Sequence, residues 1–119
     1  MRVLVVSDDP NVVDEAEFGF AADDVVENAI DSRDALVAAR RNRPSVVVVD
    51  MQTGSAGGFN LIRALRQDRG LQDVPVLVLL ERGQDRWLAR EAGAQSIRVK
   101  PVEVNDLVAE VSSLSSSKT

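Results

Sequence analysis

Five short apolar runs, separated by segments of helical periodicity, set the pattern of this chain. Each run is rich in Val, Leu or Ile and has the length of a β-strand. The runs cover Arg2–Val6, Val25–Ala29, Ser45–Asp50, Pro75–Leu80 and Ser96–Val99. The third run contains four consecutive valines. This is typical of a central strand covered on both faces, because a half-exposed strand alternates apolar with polar residues.

The intervening segments place their apolar residues on one helical face. In the last segment the i, i+3, i+4, i+7 rule is met by Val104, Leu107, Val108, Val111 and Leu114. The segment from about Pro10 to Phe20 is the weakest, because Gly19 interrupts an irregular apolar stripe. Five alternating strands and helices predict a three-layer α/β sandwich with a parallel sheet. The flavodoxin-like strand order 2-1-3-4-5 is the natural one for five such units.

The composition fits one compact domain of 119 residues, of which 45% are hydrophobic and 28% charged. We expect the domain to cover residues 1–114, with a serine-rich flexible tail at 115–119. No apolar stretch has membrane-spanning length and none resembles a signal peptide, so a cytoplasmic location is expected. The sequence lacks Cys and His, which excludes disulfides, thiolate zinc sites and Ser-His or Cys-His hydrolases. The net charge of −5 argues against nucleic-acid binding.

Charged residues come at the carboxyl ends of three predicted strands. Asp50 ends the third strand, Asp8 and Asp9 follow the first, and Lys100 follows the last. In the predicted strand order, strands 1 and 3 flank the switch point at which open α/β sheets bind their ligands. Acids and a lysine around one crevice indicate magnesium-assisted phosphoryl transfer.

Each of these residues has a predicted part in that chemistry. Magnesium prefers one or two carboxylates, several waters and a substrate oxygen. Asp8 and Asp50 are the predicted carboxylate ligands, Asp9 is an additional candidate, and the backbone carbonyl of Gln52 reaches the same ion. Lys100 adds a positive charge beside the phosphoryl oxygens. Taken singly, Asp8 is equally well explained as a strand-end or helix-capping carboxylate, and Lys100 as an exposed lysine before a turn proline. Their agreement on one sheet edge favours a site.

These residues resemble those of a response-regulator receiver domain. The matching pieces span about Arg2 to Val111 and comprise Val3–Pro10, Asp50 with Gly58, Pro75–Leu79, Glu91–Ala94 and Lys100–Pro101. The resemblance implies that Asp50 is the phosphoacceptor, Asp8 a magnesium ligand and Lys100 the phosphate-sensing cation. It also implies a histidine kinase or a phosphotransfer protein as the phosphodonor. Such a domain is not an enzyme beyond its own phosphotransfer and autodephosphorylation.

Several positions depart from the family pattern, including Glu81 in place of a small residue and Thr53-Gly54 in place of the common Met-Pro. Ser7 replaces one of the two acids usual at the Ser7-Asp8 pair, so a weakened magnesium site is expected. Leu80 stands where the family has a Thr or Ser whose hydroxyl donates to the phosphoryl group. Ile97 stands where many members carry the Tyr or Phe whose rotation reports phosphorylation. We therefore expect slow phosphorylation of Asp50 with a weak conformational response, or one that uses another route.

Two functions remain open at this point. The first is an atypical stand-alone receiver that accepts a phosphoryl group on Asp50. Its output is protein contact through the face formed by its fourth helix, fifth strand and fifth helix. The second is a phosphorylation-independent interaction module. Leu80, Glu81 and Ile97 favour it, whereas the retained Asp8, Asp50 and Lys100 oppose it. Homodimerisation through the same face is a further alternative, and no contact with nucleic acid or membrane is expected.

Overall fold

The computed structural model describes residues 1–20, 22–50, 56–80, 83–100 and 102–116. The strands are β1 (Arg2–Val6), β2 (Val25–Ala29), β3 (Val46–Asp50), β4 (Val76–Leu80) and β5 (Ser96–Val99). The helices are α1 (Pro10–Gly19), α2 (Ser32–Arg41), α3 (Ala56–Gln67), α4 (Arg86–Ala92) and α5 (Val104–Ser116). A 3-10 turn at Gly83–Asp85 precedes α4. None of the helices described has the length and apolar character of a membrane-spanning segment.

The strands form one parallel sheet in the order β2-β1-β3-β4-β5, which confirms the predicted topology. In the register of this sheet Val6 lies beside Val49, and Asp50 lies beside Leu79. Residues that follow β1, β3 and β5 therefore meet at one carboxyl edge. At the other end of the chain, α5 extends to Ser116, two residues into the segment predicted as a tail, and residues 117–119 lie outside the description.

The core lies on both faces of the sheet. One cluster packs beneath α2, α3 and α4, and the other beneath α1 and α5. The four valines of β3 alternate between these clusters, and each is at most 1% exposed. The unbroken valine run thus reflects burial on both sides, as the sequence predicts.

Gly19, which weakens the helical pattern of α1, allows this helix to approach α5. A Cβ atom built on Gly19 would lie 2.4 Å from Cγ1 of Val104 and 2.9 Å from Cγ2 of Val108. Both separations are shorter than any normal contact between carbon atoms. The glycine is therefore explained by tertiary packing, which helical periodicity along α1 does not report.

Arg66 joins the end of α3 to the start of β4 and the end of α4. Its guanidinium donates to the backbone carbonyl oxygens of Gln72 at 3.0 Å, Val74 at 2.7 Å and Gly93 at 2.8 Å. It also donates to the side-chain oxygen of Gln95, which in turn accepts from the amide that begins β4. One side chain thus satisfies carbonyl groups that would otherwise lack partners at a helix end and in a loop.

Candidate functional site

The Asp50 carboxylate is held on both of its oxygens at the carboxyl end of β3. The Lys100 ammonium forms an ion pair with Oδ1, and the Ser7 hydroxyl donates a hydrogen bond of 2.8 Å to Oδ2. The Asp50 side chain is only 1% exposed. Because a buried carboxylate is costly unless it is paired and hydrogen-bonded, these two partners stabilise the carboxylate in a fixed orientation.

Lys100 follows β5 and reaches the Asp50 carboxylate across the end of β4. The Lys100 amide donates to the Leu80 carbonyl oxygen at 2.7 Å, which extends the pairing of β4 and β5 by one residue. Its side chain, 22% exposed, reaches across the end of β4 to β3. The predicted convergence of Lys100 and Asp50 is present in this structure.

Ser7 connects Asp50 to the first turn of α1. Its hydroxyl accepts a hydrogen bond of 3.0 Å from the Asp9 amide while it donates to Asp50. The Asp9 carboxylate accepts from the Asn11 amide at 2.9 Å, so Asp9 is the N-cap of α1. The capping function considered for Asp8 thus belongs to its neighbour, and Asp8 itself is exposed beside the site.

Asn28 holds the segment that carries Ser7 and was not singled out by sequence reasoning. From β2, its side-chain amide donates to the carbonyl oxygens of Val5 at 3.0 Å, Ser7 at 3.1 Å and Ala29 at 3.2 Å. These bonds tie the end of β1 to the edge strand. An amide side chain beside Glu27 in a predicted edge strand was the available signal.

The acidic groups at this edge fit a magnesium ion whose shell is mostly water. Asp8, Asp9 and Asp50 are the carboxylates at this edge, and one oxygen of Asp9 already accepts a hydrogen bond as the N-cap of α1. In the described part of the chain no group of three or more acidic, His or Cys side chains is placed to hold a metal. Two carboxylates with water are nevertheless a normal donor set for magnesium. Gln52, the predicted carbonyl ligand, lies outside the described residues.

The side chains of Leu80 and Ile97 pack in or against the hydrophobic core. The Leu80 side chain is 1% exposed and belongs to the core cluster beneath α2, α3 and α4. Ile97, on β5, is partly buried and packs against the same cluster. The end of β4 therefore presents its backbone carbonyl to Lys100 and no hydroxyl to the Asp50 carboxylate.

The sequence matches the family model of the response regulator receiver domain over residues 3–112. The chain belongs to this family. The curated relatives include the transcriptional regulatory protein PrrA of Mycobacterium tuberculosis, 40% identical over 116 residues, with 95% of this chain and 49% of PrrA covered. The DNA-binding response regulator MtrA of Mycolicibacterium smegmatis is 33% identical, with 92% and 48% covered. The chain thus spans about half the length of these relatives.

Solved receiver structures support the same fold. The chemotaxis response regulator CheY4 of Vibrio cholerae superposes with a TM-score of 0.86 at 25% identity, covering 95% of this chain and 97% of that one. A response regulator from Chloroflexus aurantiacus gives a TM-score of 0.88 at 26% identity, covering 97% of both chains. The predicted family, strand order and two-component setting are confirmed.

Proposed function

We propose that Asp50 is the phosphoacceptor of this receiver domain and that a partner histidine kinase or phosphotransfer protein is the donor. The observation that carries the proposal is the enclosed Asp50 carboxylate, held between the Ser7 hydroxyl and the Lys100 ammonium. An Asp50 oxygen forms a bond to phosphorus as the bond between phosphorus and the donor atom breaks. Lys100 places a positive charge beside the transferring group, which stabilises the charge on its oxygens.

Magnesium would be held by Asp8 and Asp50, and when bound it would offset repulsion between these carboxylates and the phosphoryl oxygens. Because Ser7 contributes a neutral hydroxyl where the family usually has an acid, we expect weak magnesium affinity. Ser7→Asp should therefore lower the melting temperature in a chelator, since a second carboxylate faces Asp50. Millimolar magnesium should then raise the melting temperature of Ser7→Asp more than that of the parent. Equal magnesium responses would contradict this account.

The output surface in this proposal is the face of α4, β5 and α5. Arg98 on β5 donates to Glu110 on α5 at 3.0 Å, which joins the two elements. A cleft of 380 Å³ beside this pair is lined by Arg86, Ile97, Arg98, Val99, Val102, Glu103 and Asp106. Its mixture of both charges with apolar groups suits a protein partner. A net charge of −5 also favours protein over DNA as the ligand of these 119 residues.

A second function, phosphorylation-independent protein binding, is favoured by Leu80. Because its side chain is packed in the core, it offers no donor to a phosphoryl group on Asp50. Ile97 likewise offers no aromatic ring to report such a group. In this alternative, the α4-β5-α5 face binds its partner whether or not Asp50 is modified.

The two functions are separated by intact mass spectrometry after incubation with acetyl phosphate and magnesium. The first function predicts one phosphate adduct on the parent and none on Asp50→Asn. No adduct on a parent that melts cooperatively, under conditions that modify an ordinary receiver, would overturn it and favour the second.

Trp87 then tests the response, because it is 64% exposed at the start of α4, on the proposed output face. A change in its fluorescence that requires Asp50 would show that phosphorylation reaches α4. Phosphorylation without such a change is the weak response expected from Leu80 and Ile97.

A further inference from the structure

The Ser7 hydroxyl is a donor with a fixed direction. Its oxygen accepts the Asp9 amide at 3.0 Å, so its single proton points away from that amide and is donated to Oδ2 of Asp50 at 2.8 Å. The Ser7 amide donates to the Ala29 carbonyl oxygen at 2.9 Å, and the Ser7 carbonyl oxygen accepts from the Asn28 side chain at 3.1 Å. Because the backbone and the side chain of this buried residue are both hydrogen-bonded, the donor stays in place during chemistry at Asp50.

The two oxygens of Asp50 are held by groups that differ in mobility. Oδ1 is paired with the Lys100 ammonium, which ends a flexible four-carbon chain. Oδ2 is held by the short, anchored side chain of Ser7. A phosphoryl group on Oδ1 requires only that the ammonium move to the phosphoryl oxygens, whereas one on Oδ2 would displace the Ser7 hydroxyl. Oδ1 is therefore the favoured nucleophile, and Oδ2 becomes the carbonyl oxygen of the acyl phosphate, still beside Ser7.

The hydrogen bond from Ser7 to Oδ2 is stronger in the free carboxylate than in the acyl phosphate. In the free carboxylate Oδ2 shares a full negative charge, and a hydrogen bond to an ionised acceptor is about twice as strong as one between neutral groups. In the acyl phosphate Oδ2 is a neutral carbonyl oxygen. Ser7 thus stabilises unmodified Asp50 relative to phosphorylated Asp50.

Hydrolysis of the acyl phosphate returns the negative charge to this carboxylate. A water oxygen bonds to phosphorus while the bond between Oδ1 and phosphorus breaks and leaves its electron pair on Oδ1. The water gives up its protons to the phosphate and the solvent, so the products are the Asp50 carboxylate and inorganic phosphate. The transition state of phosphoryl transfer is loose in most analyses, so most of this charge has already reached the carboxylate. The Ser7 hydrogen bond is therefore stronger in the transition state than in the acyl phosphate, which accelerates hydrolysis.

Acceptance of the phosphoryl group responds differently to the same hydrogen bond. This step begins from the free carboxylate and passes through an equally loose transition state, in which the carboxylate keeps most of its charge. The strength of the Ser7 hydrogen bond changes little along it. Removing the hydroxyl should thus slow the loss of the phosphoryl group and leave its acceptance nearly unchanged.

We infer that Ser7 shortens the lifetime of the phosphoryl group on Asp50 by stabilising the carboxylate that leaves. An ionised acid at this position would have no proton to donate, so the effect belongs to the hydroxyl. The inference rests on the proposed function of Asp50 and adds to it a residue that sets how long the modification lasts.

The decay of the phosphate adduct, followed by intact mass spectrometry, tests this role. The chain is phosphorylated with acetyl phosphate, the donor is removed by rapid desalting, and decay is followed at a magnesium concentration that saturates the rate. Ser7→Ala should lengthen the half-life at least ~threefold, with less than a ~twofold change in the initial rate of acceptance. Ser7→Thr, which keeps the hydroxyl, should restore the parental half-life. Ser112→Ala, an exposed substitution on α5, is the matched control and should behave as the parent.

Circular dichroism melting should show that every variant folds, so that the half-lives are compared between native proteins. A residue that only positions Asp50 would change acceptance and loss together, so equal slowing of both steps in Ser7→Ala would overturn the inference. A parental half-life in Ser7→Ala, or a long half-life in folded Ser7→Thr, would also overturn it. These results leave the proposed function intact, because they require an adduct on Asp50. Absence of any adduct on the parent would instead overturn the proposed function and this inference with it.

Discussion

Replacing Ser7 by Ala tests the hydrogen bonds that hold the Asp50 carboxylate. Ser7 is only 5% exposed. Its hydroxyl both donates to Asp50 and accepts from the Asp9 amide. Ala removes both bonds and changes the volume of the side chain little, so the loss of hydrogen bonds dominates the effect.

The expected loss of stability follows from the burial of the acceptor. A hydrogen bond to a charged group contributes about 1.5–3 kcal/mol, and the Asp50 oxygen is too enclosed for water to replace the donor easily. The Asp9 amide is only half-buried and so should find water. Removing the hydroxyl also relieves its own desolvation, by about 1 kcal/mol. We expect a net loss of about 1 kcal/mol, or roughly 4 °C in melting temperature for a domain of this size.

Urea unfolding of a double-mutant cycle measures this interaction directly. The cycle contains the parent, Ser7→Ala, Asp50→Ala and the double variant, and the coupling energy between the two sites should be about 1–2 kcal/mol. Ser112→Ala, an exposed substitution on α5, is the matched control and should leave the unfolding free energy within about 0.5 kcal/mol of the parent.

A coupling energy near zero would refute the reasoning, because it would mean that Ser7 stabilises the fold without holding Asp50. Ser7→Ala with parental stability would show that the site tolerates the loss of the Ser7 hydrogen bond to Asp50. In either case, the hydrogen bond from Ser7 would not explain how a neutral residue can occupy a position where the family usually has an acid.

Three further predictions concern the scaffold. Gly19→Ala gains about 1 kcal/mol of helix propensity but forces α1 and α5 apart, which costs about 1–3 kcal/mol. Urea unfolding should therefore show a net loss of unfolding free energy. In the control Gly70→Ala, the added Cβ would meet its nearest atom at 3.5 Å, so this change should be neutral or slightly stabilising. Arg66→Ala leaves three carbonyl oxygens without their donor and should lower the unfolding free energy by about 2–3 kcal/mol. The Arg40 guanidinium and the Gly70 amide hold the pKa of Asp68 below its ordinary value of 3.8. The stability that the ionised Asp68 contributes is therefore present above pH 3.8 and lost as the pH falls through the lower pKa of the folded state. The difference in unfolding free energy between the parent and Asp68→Asn should shrink in that window. A difference that does not change with pH would contradict this prediction.

The parts of this fold that the sequence predicts are those with a local signature. Burial on both faces requires an unbroken apolar strand, so the valines of β3 identify the central strand and place Asp50 at its carboxyl end. Parallel pairing then brings Asp8 and Lys100 to the same edge. These inferences need only periodicity and topology, which is why they agree with the structure.

The parts that the sequence does not predict depend on partners far along the chain. Ser7 and Asp50 are 43 residues apart, and the atoms that exclude a side chain at Gly19 belong to α5. The assignment of the N-cap to Asp9 and not to Asp8 is different, because the sequence does contain a signal for it. Pro10 is the first residue of α1, and Pro favours that position, so the residue before it is the N-cap.

The arrangement around Lys100 limits how phosphorylation of Asp50 can affect the rest of the domain. A phosphoryl group biases the output face only if its two states make different contacts with something that reaches that face. Lys100 meets this condition. It directly follows β5, its side chain pairs with Asp50, and its amide donates to the carbonyl oxygen at the end of β4. Leu80 does not, because its side chain is fixed in the core and has no polar group to redirect. Movement of the Lys100 ammonium toward the phosphoryl oxygens would change the end of β5 before it changed β4, so we expect the response, where it occurs, to begin at the junction of β5 and α5.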